Sequence, residues 1–410
     1  MTNQLNDIVS NGLCIGCGLC ESMAGQDAVK IVMTPEGRGR PSLRLPLDSS
    51  IHDAIYAVCP GTQIHGLPNA LIKPETQVDS VWGPLLQIHR GYAAEPDIRF
   101  RGSTGGVLTA LAIYLLESKR VDFILHVAAD EKQPMRTRPH ISYNRADVLK
   151  AAGSRYGPAA PLKHFLEILA RKEPFAFIGK PCDIGAVRNL AKKDARVDQY
   201  CRYLLTLVCG GASELGKSQG VLHELGVEEE ELTVFRYRGY GNPGKTRLET
   251  RDGRAFELTY NQMWDDESKW QIQYRCKICA DAIGESADIA ASDVWPGGGP
   301  SGEDAGFNGI LARTKKGVEL VDAAVRDGAL IIDKTLTPRD MDHVQPHQVR
   351  KKRAVWARIE ALRQAGRLAP NVTGLRIEEL AQENPADQNE KEITGTMRRL
   401  RDGQFKEPIA

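Results

Sequence analysis

No apolar run in this sequence approaches the roughly 20 residues needed to cross a bilayer, which argues against a membrane-spanning protein. The opening stretch, Met1-Thr2-Asn3-Gln4-Leu5-Asn6-Asp7, is polar and lacks the apolar centre of a secretory signal. Neither sign of charge is in excess: 54 Lys and Arg face 53 Asp and Glu, a net charge of +1. Such a balance implies no general attraction to nucleic acid or to an anionic membrane. A cytoplasmic protein is the default expectation, and 410 residues leave room for two or three domains.

Cysteine is what the chain does have. The count of nine is odd, which excludes a full set of bridges, and in a reducing compartment such thiols serve more often as ligands or catalysts. Cys14, Cys17 and Cys20 are each separated by two residues, in Cys14-Ile15-Gly16-Cys17-Gly18-Leu19-Cys20. Three thiolates at that spacing suit one inorganic cluster, and the glycines let the backbone turn its N–H groups toward the cluster sulfurs. A [4Fe–4S] cluster needs four thiolates, and the usual bacterial spacing would place the fourth where Ala24 stands. Cys59-Pro60 supplies the Cys-Pro signature instead. Zinc is the rival reading, although zinc sites usually pair two CxxC knuckles.

Taken in order, residues 1–85 suggest a ferredoxin-like [4Fe–4S] module: cluster loop, strand at 28–33, turn, strand, short helix and Cys-Pro. Residues 86–340 have the pattern of an α/β core. Phe100-Arg101-Gly102-Ser103-Thr104-Gly105-Gly106 opens into an apolar helix over 107–116. A Gly/Ser/Thr loop at a helix N-terminus is an anion cradle, though an ordinary helix cap has the same signature. Gly153-Ser154-Arg155-Tyr156-Gly157-Pro158 is a second such loop, before a helix expected at 161–172. Strands are expected at 121–128, 175–178 and 203–208, the first so continuously apolar that both faces of its sheet should be covered. Cys182, in Gly179-Lys180-Pro181-Cys182-Asp183, and Cys209, in Cys209-Gly210-Gly211, both fall at strand carboxyl ends, where open α/β sheets place ligands. Short alternating strands within 232–260 suggest an antiparallel insertion. Cys276 and Cys279 form a CxxC pair, a spacing that zinc sites and redox disulfides share. Added to Cys182 and Cys209 they complete a second set of four, with Cys201 left over for packing. Residues 341–410 suggest a solvated helical tail, partly disordered, with Lys351-Lys352-Arg353 on its surface.

Arg101-Gly102-Ser103-Thr104-Gly105-Gly106, Gly153-Ser154-Arg155-Tyr156, Gly179-Lys180-Pro181-Cys182-Asp183, Cys209-Gly210, Cys276-x-x-Cys279 and Ala287-Asp288-Ile289 occur here in that order. This order resembles the coenzyme F420 hydrogenase/dehydrogenase beta-subunit family, which includes 7-hydroxymethyl chlorophyll a reductase-like iron–sulfur flavoproteins, over roughly residues 10 to 330. The resemblance implies FAD beside [4Fe–4S] clusters. It implies flavin contacts from Ser103, Thr104, Gly105 and Gly106, from Ser154, Arg155, Tyr156 and Gly157, and from Lys180. It also implies that the second cysteine set holds a cluster close to the flavin. The fold expected is therefore α/β: an N-terminal ferredoxin-like cluster module, then a mixed α/β flavin-binding core with a small antiparallel β insertion, then a helical tail.

The main functional expectation is an iron–sulfur flavoprotein reductase. It would take electrons from ferredoxin or a similar one-electron donor and pass a hydride from FAD to a small organic substrate. The alternative is an F420-reducing or F420-oxidising beta subunit of a hydrogenase or dehydrogenase complex, and the third a zinc-stabilised interaction protein. Self-association is left open. His126, His140 and Tyr156 are conceivable proton donors, and none is assigned a catalytic role.

Overall fold

A computed structural model describes residues 4–266, 269–300 and 302–407, so Met1–Asn3 and the last three residues lie outside it. The chain opens with α1 (Leu5–Ser10) and α2 (Leu19–Ala24), joined by the loop that carries Cys14 and Cys17. An antiparallel pair follows, β1 (Val29–Met33) with β2 (Gly39–Leu43), and then α3 (Ser49–Val58), which ends on Cys59. This is the expected order of elements. After β3 (Gln63–His65), the hairpin of β4 (Gln77–Asp79) and β5 (Gly83–Leu85) leads into the main sheet.

That sheet begins with β6 (Gln87–Ala93), followed by α4 (Pro96–Arg101) and α5 (Val107–Glu117). Helix α5 carries no charge before its last residue and is buried nearly all round, as its sequence requires. Next come β7 (Phe123–Ala129), β8 (Thr137–Ser142), α6 (Arg145–Lys150), α7 (Phe165–Ala170) and β9 (Phe175–Gly179). The helix expected at 161–172 is thus shorter than its apolar pattern. Further on are α8 (Pro181–Ala191), α9 (Arg196–Tyr200), β10 (Cys201–Leu207) and α10 (Leu215–Leu225). The expected insertion is a three-stranded antiparallel sheet of β11 (Leu232–Arg236), β12 (Thr246–Thr250) and β13 (Ala255–Leu258). Two short helices, α11 (Tyr260–Trp264) and α12 (Tyr274–Lys277), lead back to β14 (Ile289–Asp293), β15 (Asn308–Ala312), α13 (Lys315–Arg326) and β16 (Leu330–Thr335).

The eight strands of the main sheet lie in the order β16-β6-β15-β14-β10-β9-β7-β8. Strands β14, β10, β9 and β7 are mutually parallel, and the flanking pairs are antiparallel. The carboxyl ends of the parallel strands therefore share one edge. β14 and β15 are almost wholly buried, and both are apolar over most of their length.

The last elements are α14 (Pro338–Val344), α15 (Pro346–Gln364), β17 (Asn371–Thr373), α16 (Ile377–Gln382) and α17 (Ala386–Arg401). They are not a solvated tail. Val355, Ile359 and Leu362 of α15 pack with Leu5, Ile8 and Leu13 of the amino-terminal module in one core. β17 pairs in parallel with β3. Lys352, expected on the surface, is 3% exposed; its Nζ donates to Ala280 O (2.8 Å) and pairs with the buried Glu285 carboxylate. No helix among the described residues is long and apolar enough to cross a membrane.

Candidate functional site

All four thiols of the first set, Cys14, Cys17, Cys20 and Cys59, line one apolar cavity beneath α1 and α3. The chain reaches this arrangement through Gly16, whose left-handed φ of +68° turns the loop against β2. A Cβ there would stand 2.4 Å from Gly39 O. Gly16 N–H points at Cys14 Sγ (3.3 Å) and Gly61 N–H at Cys59 Sγ (3.4 Å). Burial raises the Cys17 thiol, and Cys59 and Cys20 raise it further. Burial and Cys14 push Cys59 up to about 11. Four buried thiols that oppose one another's ionisation suit a polycationic core that neutralises them together. Among the described residues, no three His, Cys, Asp or Glu side chains converge on a position for a single ion. The four thiols line one shared cavity, and four thiolates are the donor set of an iron–sulfur cluster.

The second set is assembled from three separate places. Cys182 is the second residue of α8, Cys209 lies just beyond β10, and Cys276 and Cys279 flank the end of α12. Their thiols feel one another: burial and Asp183 raise Cys182, with Cys209 and Cys279 adding to it and Lys180 opposing. Burial pushes Cys209 up to about 11, Cys276 and Cys279 raising it further and Lys351 opposing. Ala212 N–H points at Cys276 Sγ (3.3 Å). Cys201 stays apart, 3% exposed in the aromatic core at the start of β10. The two sets are neighbours. Pro60 lines the first cavity and also a second one bordered by Cys182 and Cys279, and Arg275 Nη2 donates to Pro60 O (2.7 Å).

The two Gly/Ser loops meet at the same sheet edge. Gly105 O accepts from Ala93 N–H at the end of β6 (2.7 Å), and Ser154 N–H donates to Ser103 Oγ (2.6 Å). Gly106, at a φ of +74°, starts α5. Thr104 Oγ1 bonds Asp293 at the end of β14, and Arg238 Nη2 donates to Ser103 O (2.7 Å). Arg238 is fully enclosed; burial opposes its charge, but Asp293 at 3.3 Å more than compensates and raises its pKa. Its guanidinium lies 4.9 Å from the centre of the Trp295 ring, whose Nε1 is buried without a partner among the described residues. Tyr156 packs against Trp264 with ring centres 4.4 Å apart, and Gly157, at a left-handed φ of +100°, lies beside Leu215 and Ser213.

Two of the residues expected at the flavin have other commitments. Arg155 donates to Phe235 O, Pro134 O, Met135 O, Arg136 O and Thr137 Oγ1 at 2.7–3.3 Å, so it anchors its loop to the β insertion. Lys180 Nζ pairs with Asp183 (2.6 Å) and belongs with the second cysteine set. His126 is held neutral in the β7–β8 pair; burial and His140 push its pKa down to about 3, and Nε2 contacts Ser142 Oγ (2.8 Å). Sequence reasoning missed Arg238, Asp293 and Trp295. The available signals were a charged residue at the exit of an apolar strand, for Asp293, and an arginine just before the glycine-rich turn 239–244.

Comparison with known proteins decides the family. The family described as coenzyme F420 hydrogenase/dehydrogenase, beta subunit, matches in two parts, its N-terminal region over residues 88–167 and its C-terminal region over residues 172–336. The chain belongs to this family. Its matched region, more than half of the chain, holds the second cysteine set and both Gly/Ser loops, whereas the first set and the helices after β16 lie outside it. Among its relatives is the coenzyme F420-dependent sulfite reductase of Methanocaldococcus jannaschii, 25% identical over 78% of this chain and 47% of the relative. The F420-dependent formate dehydrogenase 1 subunit beta of Methanococcus maripaludis is 29% identical over 58% of each chain. The coenzyme F420 hydrogenase subunit beta of Methanococcus voltae is 25% identical over 62% of this chain and 84% of the relative. The chain thus spans only about half the length of the first two. A chain of the F420-reducing [NiFe] hydrogenase complex from Methanosarcina barkeri has the same fold, with a TM-score of 0.51 at 20% identity over 68% of this chain and 96% of that one.

Proposed function

We propose that this family member is an electron-transferring oxidoreductase subunit that works with coenzyme F420. The relatives' names favour this reading, the alternative expected from the sequence, over the main expectation of a ferredoxin-dependent reductase. Cys14, Cys17, Cys20 and Cys59 would hold one [4Fe–4S] cluster, and Cys182, Cys209, Cys276 and Cys279 a second. The loops at Ser103–Thr104–Gly105–Gly106 and Ser154–Arg155–Tyr156–Gly157 would seat FAD at the carboxyl edge of the sheet. When bound, clusters exchange single electrons and a flavin collects or releases two with a proton. The protein's own part is to bring the groups together and keep water out. Pro60 and the apolar core around Cys17 separate the two thiol sets with packed side chains. Trp295 Nε1–H is a buried donor without a partner among the described residues, close to the Arg238 that holds the Ser103 loop.

The observation that carries this reading is the convergence of two four-thiol sets with both Gly/Ser loops around one sheet edge. Anaerobically purified protein should contain about eight irons and one flavin per chain. Reduced F420 should bleach the flavin band without any ferredoxin. Protein holding zinc and no iron would overturn the cluster assignment. Bleaching by reduced ferredoxin but not by reduced F420 would return the assignment to the ferredoxin-dependent reductase.

A further inference from the structure

Resting on the cluster reading of Cys14, Cys17, Cys20 and Cys59, we propose that the carboxyl-terminal segment sets the redox potential of that cluster through a buried Glu407–Arg40 pair. Gly39 and Arg40 open β2, against which the Cys14–Gly18 loop is pressed by the close approach of Gly16 to Gly39 O. Arg40 spends its donors there: Nη1 on Gly39 O (2.8 Å), Nη2 on Gln273 Oε1 (2.9 Å) and Glu407 Oε1 (2.8 Å), and Nε on Glu407 Oε2 (2.9 Å). Both side chains are shut off from water, at 0% and 1% exposure. Glu407 also pairs with Arg38 (2.9 Å), which in turn meets Glu214 (2.7 Å). These four form one chain of charges on this side of the loop, and Glu21 of α2, Asp183 of α8 and Arg275 of α12 face the same thiols from the other elements packed around them.

A guanidinium fixed in an interior of low dielectric acts at full strength on a neighbouring electron carrier. It stabilises the state with one more electron, whereas the carboxylate does the reverse. The Arg40 guanidinium caps Gly39 O, the atom that Gly16 of the cysteine loop approaches, so its charge and that of Glu407 sit directly behind the turn between Cys14 and Cys17. Arg40, the first cysteine set and Glu407 all lie outside the regions matched by the family, and Glu407 comes to Arg40 from the opposite end of the chain. The segment is thus placed to couple its own docking to the electron affinity of the first cluster.

The test is a redox titration followed by electron paramagnetic resonance on the anaerobic full-length protein. Arg40→Gln should make reduction of the first cluster about tenfold less favourable, a midpoint about 59 mV lower for a one-electron couple. Glu407→Gln should move the midpoint the opposite way. Arg40→Lys, which keeps the charge, should stay close to wild type, and the second cluster should serve as an unmoved reference. Should Arg40→Gln fail to accumulate, Glu407→Gln still carries the sign. Retained clusters with unmoved midpoints, or both variants shifting the same way, would overturn the proposal. Failure of the underlying reading looks different: iron content and both signals unchanged in Cys17→Ser would remove the cluster itself.

Discussion

Replacing Cys279 by Ser removes a thiol coupled to Cys182 and Cys209, and replacing Cys201 by Ser removes one buried among Phe and Leu side chains. The first variant should lose about half its iron and the second none, as an iron assay on each purified protein would read. Equal iron in the two would show that the ligand set is wrong. Asp288 makes a different residue-scale prediction. It is fully buried, accepting from Leu204 N–H (2.8 Å) and Thr314 Oγ1 (2.9 Å), with Arg188 at 3.0 Å and Lys316 at 3.1 Å. Burial alone would raise its pKa, but Arg188 and Lys316 hold it below 3.8. Its charge therefore stabilises the fold above that value, and the contribution is lost as pH falls through the depressed native pKa. Asp288→Asn should cost about 3–5 kcal/mol at neutral pH because it strands two cations. In urea titrations the gap to wild type should stay constant above about pH 5 and narrow below about pH 4. A gap independent of pH would mean that the carboxylate's charge is not what matters.

Among the elements, the loop before α5 leaves little room for a side chain. A Cβ on Gly105 would stand 2.8 Å from Asn308 N and 3.0 Å from Gly91 O, both backbone atoms of the central sheet. Gly105→Ala must therefore push the loop away from β6 and β15. The variant should melt at a lower temperature and bind flavin more weakly, measured by calorimetry and by flavin absorbance after desalting. Wild-type flavin content in Gly105→Ala would move the cofactor site elsewhere. The strands and helices around this loop were legible because sheets covered on both faces write continuous apolar runs, as in β7, β9 and β10. The cysteine positions at strand ends were legible for the same reason. Arg155 and Lys180 were harder to place. Their spacing shows that they stand in ligand-like loops, but only the fold shows that carbonyls 134–136 and Asp183 already occupy them. Arg238 and Asp293 lie 55 residues apart, so nothing local in the sequence joins them.

At the scale of the whole molecule, α15 is the element that ties the last part of the chain to the first. Its composition is dominated by Arg, Lys and Gln, which hides an apolar stripe at Val355, Ile359 and Leu362, spaced as one helical face. Long basic side chains flank that stripe, and an average over the helix reports only the flanks. In the folded chain the stripe closes the core over Leu5, Ile8 and Leu13, while Lys352 neutralises Glu285 beneath it. Ile359 is 1% exposed, so Ile359→Ala should cost about 2–5 kcal/mol, the range for a large-to-small change in a packed core. A solvated tail would instead tolerate the change to within about 0.5 kcal/mol. The same contacts predict where the damage spreads. The residues packed against this core include Cys14, Cys20 and Cys59, and the core itself holds Ile278 and Ala280, the neighbours of Cys279 in the second set. Ile359→Ala should therefore make iron in both sets more labile to a chelator, because the core it opens reaches Cys14, Cys20 and Cys59 on one side and the neighbours of Cys279 on the other. Wild-type rates of iron loss at both sets would mean that this core braces neither of them.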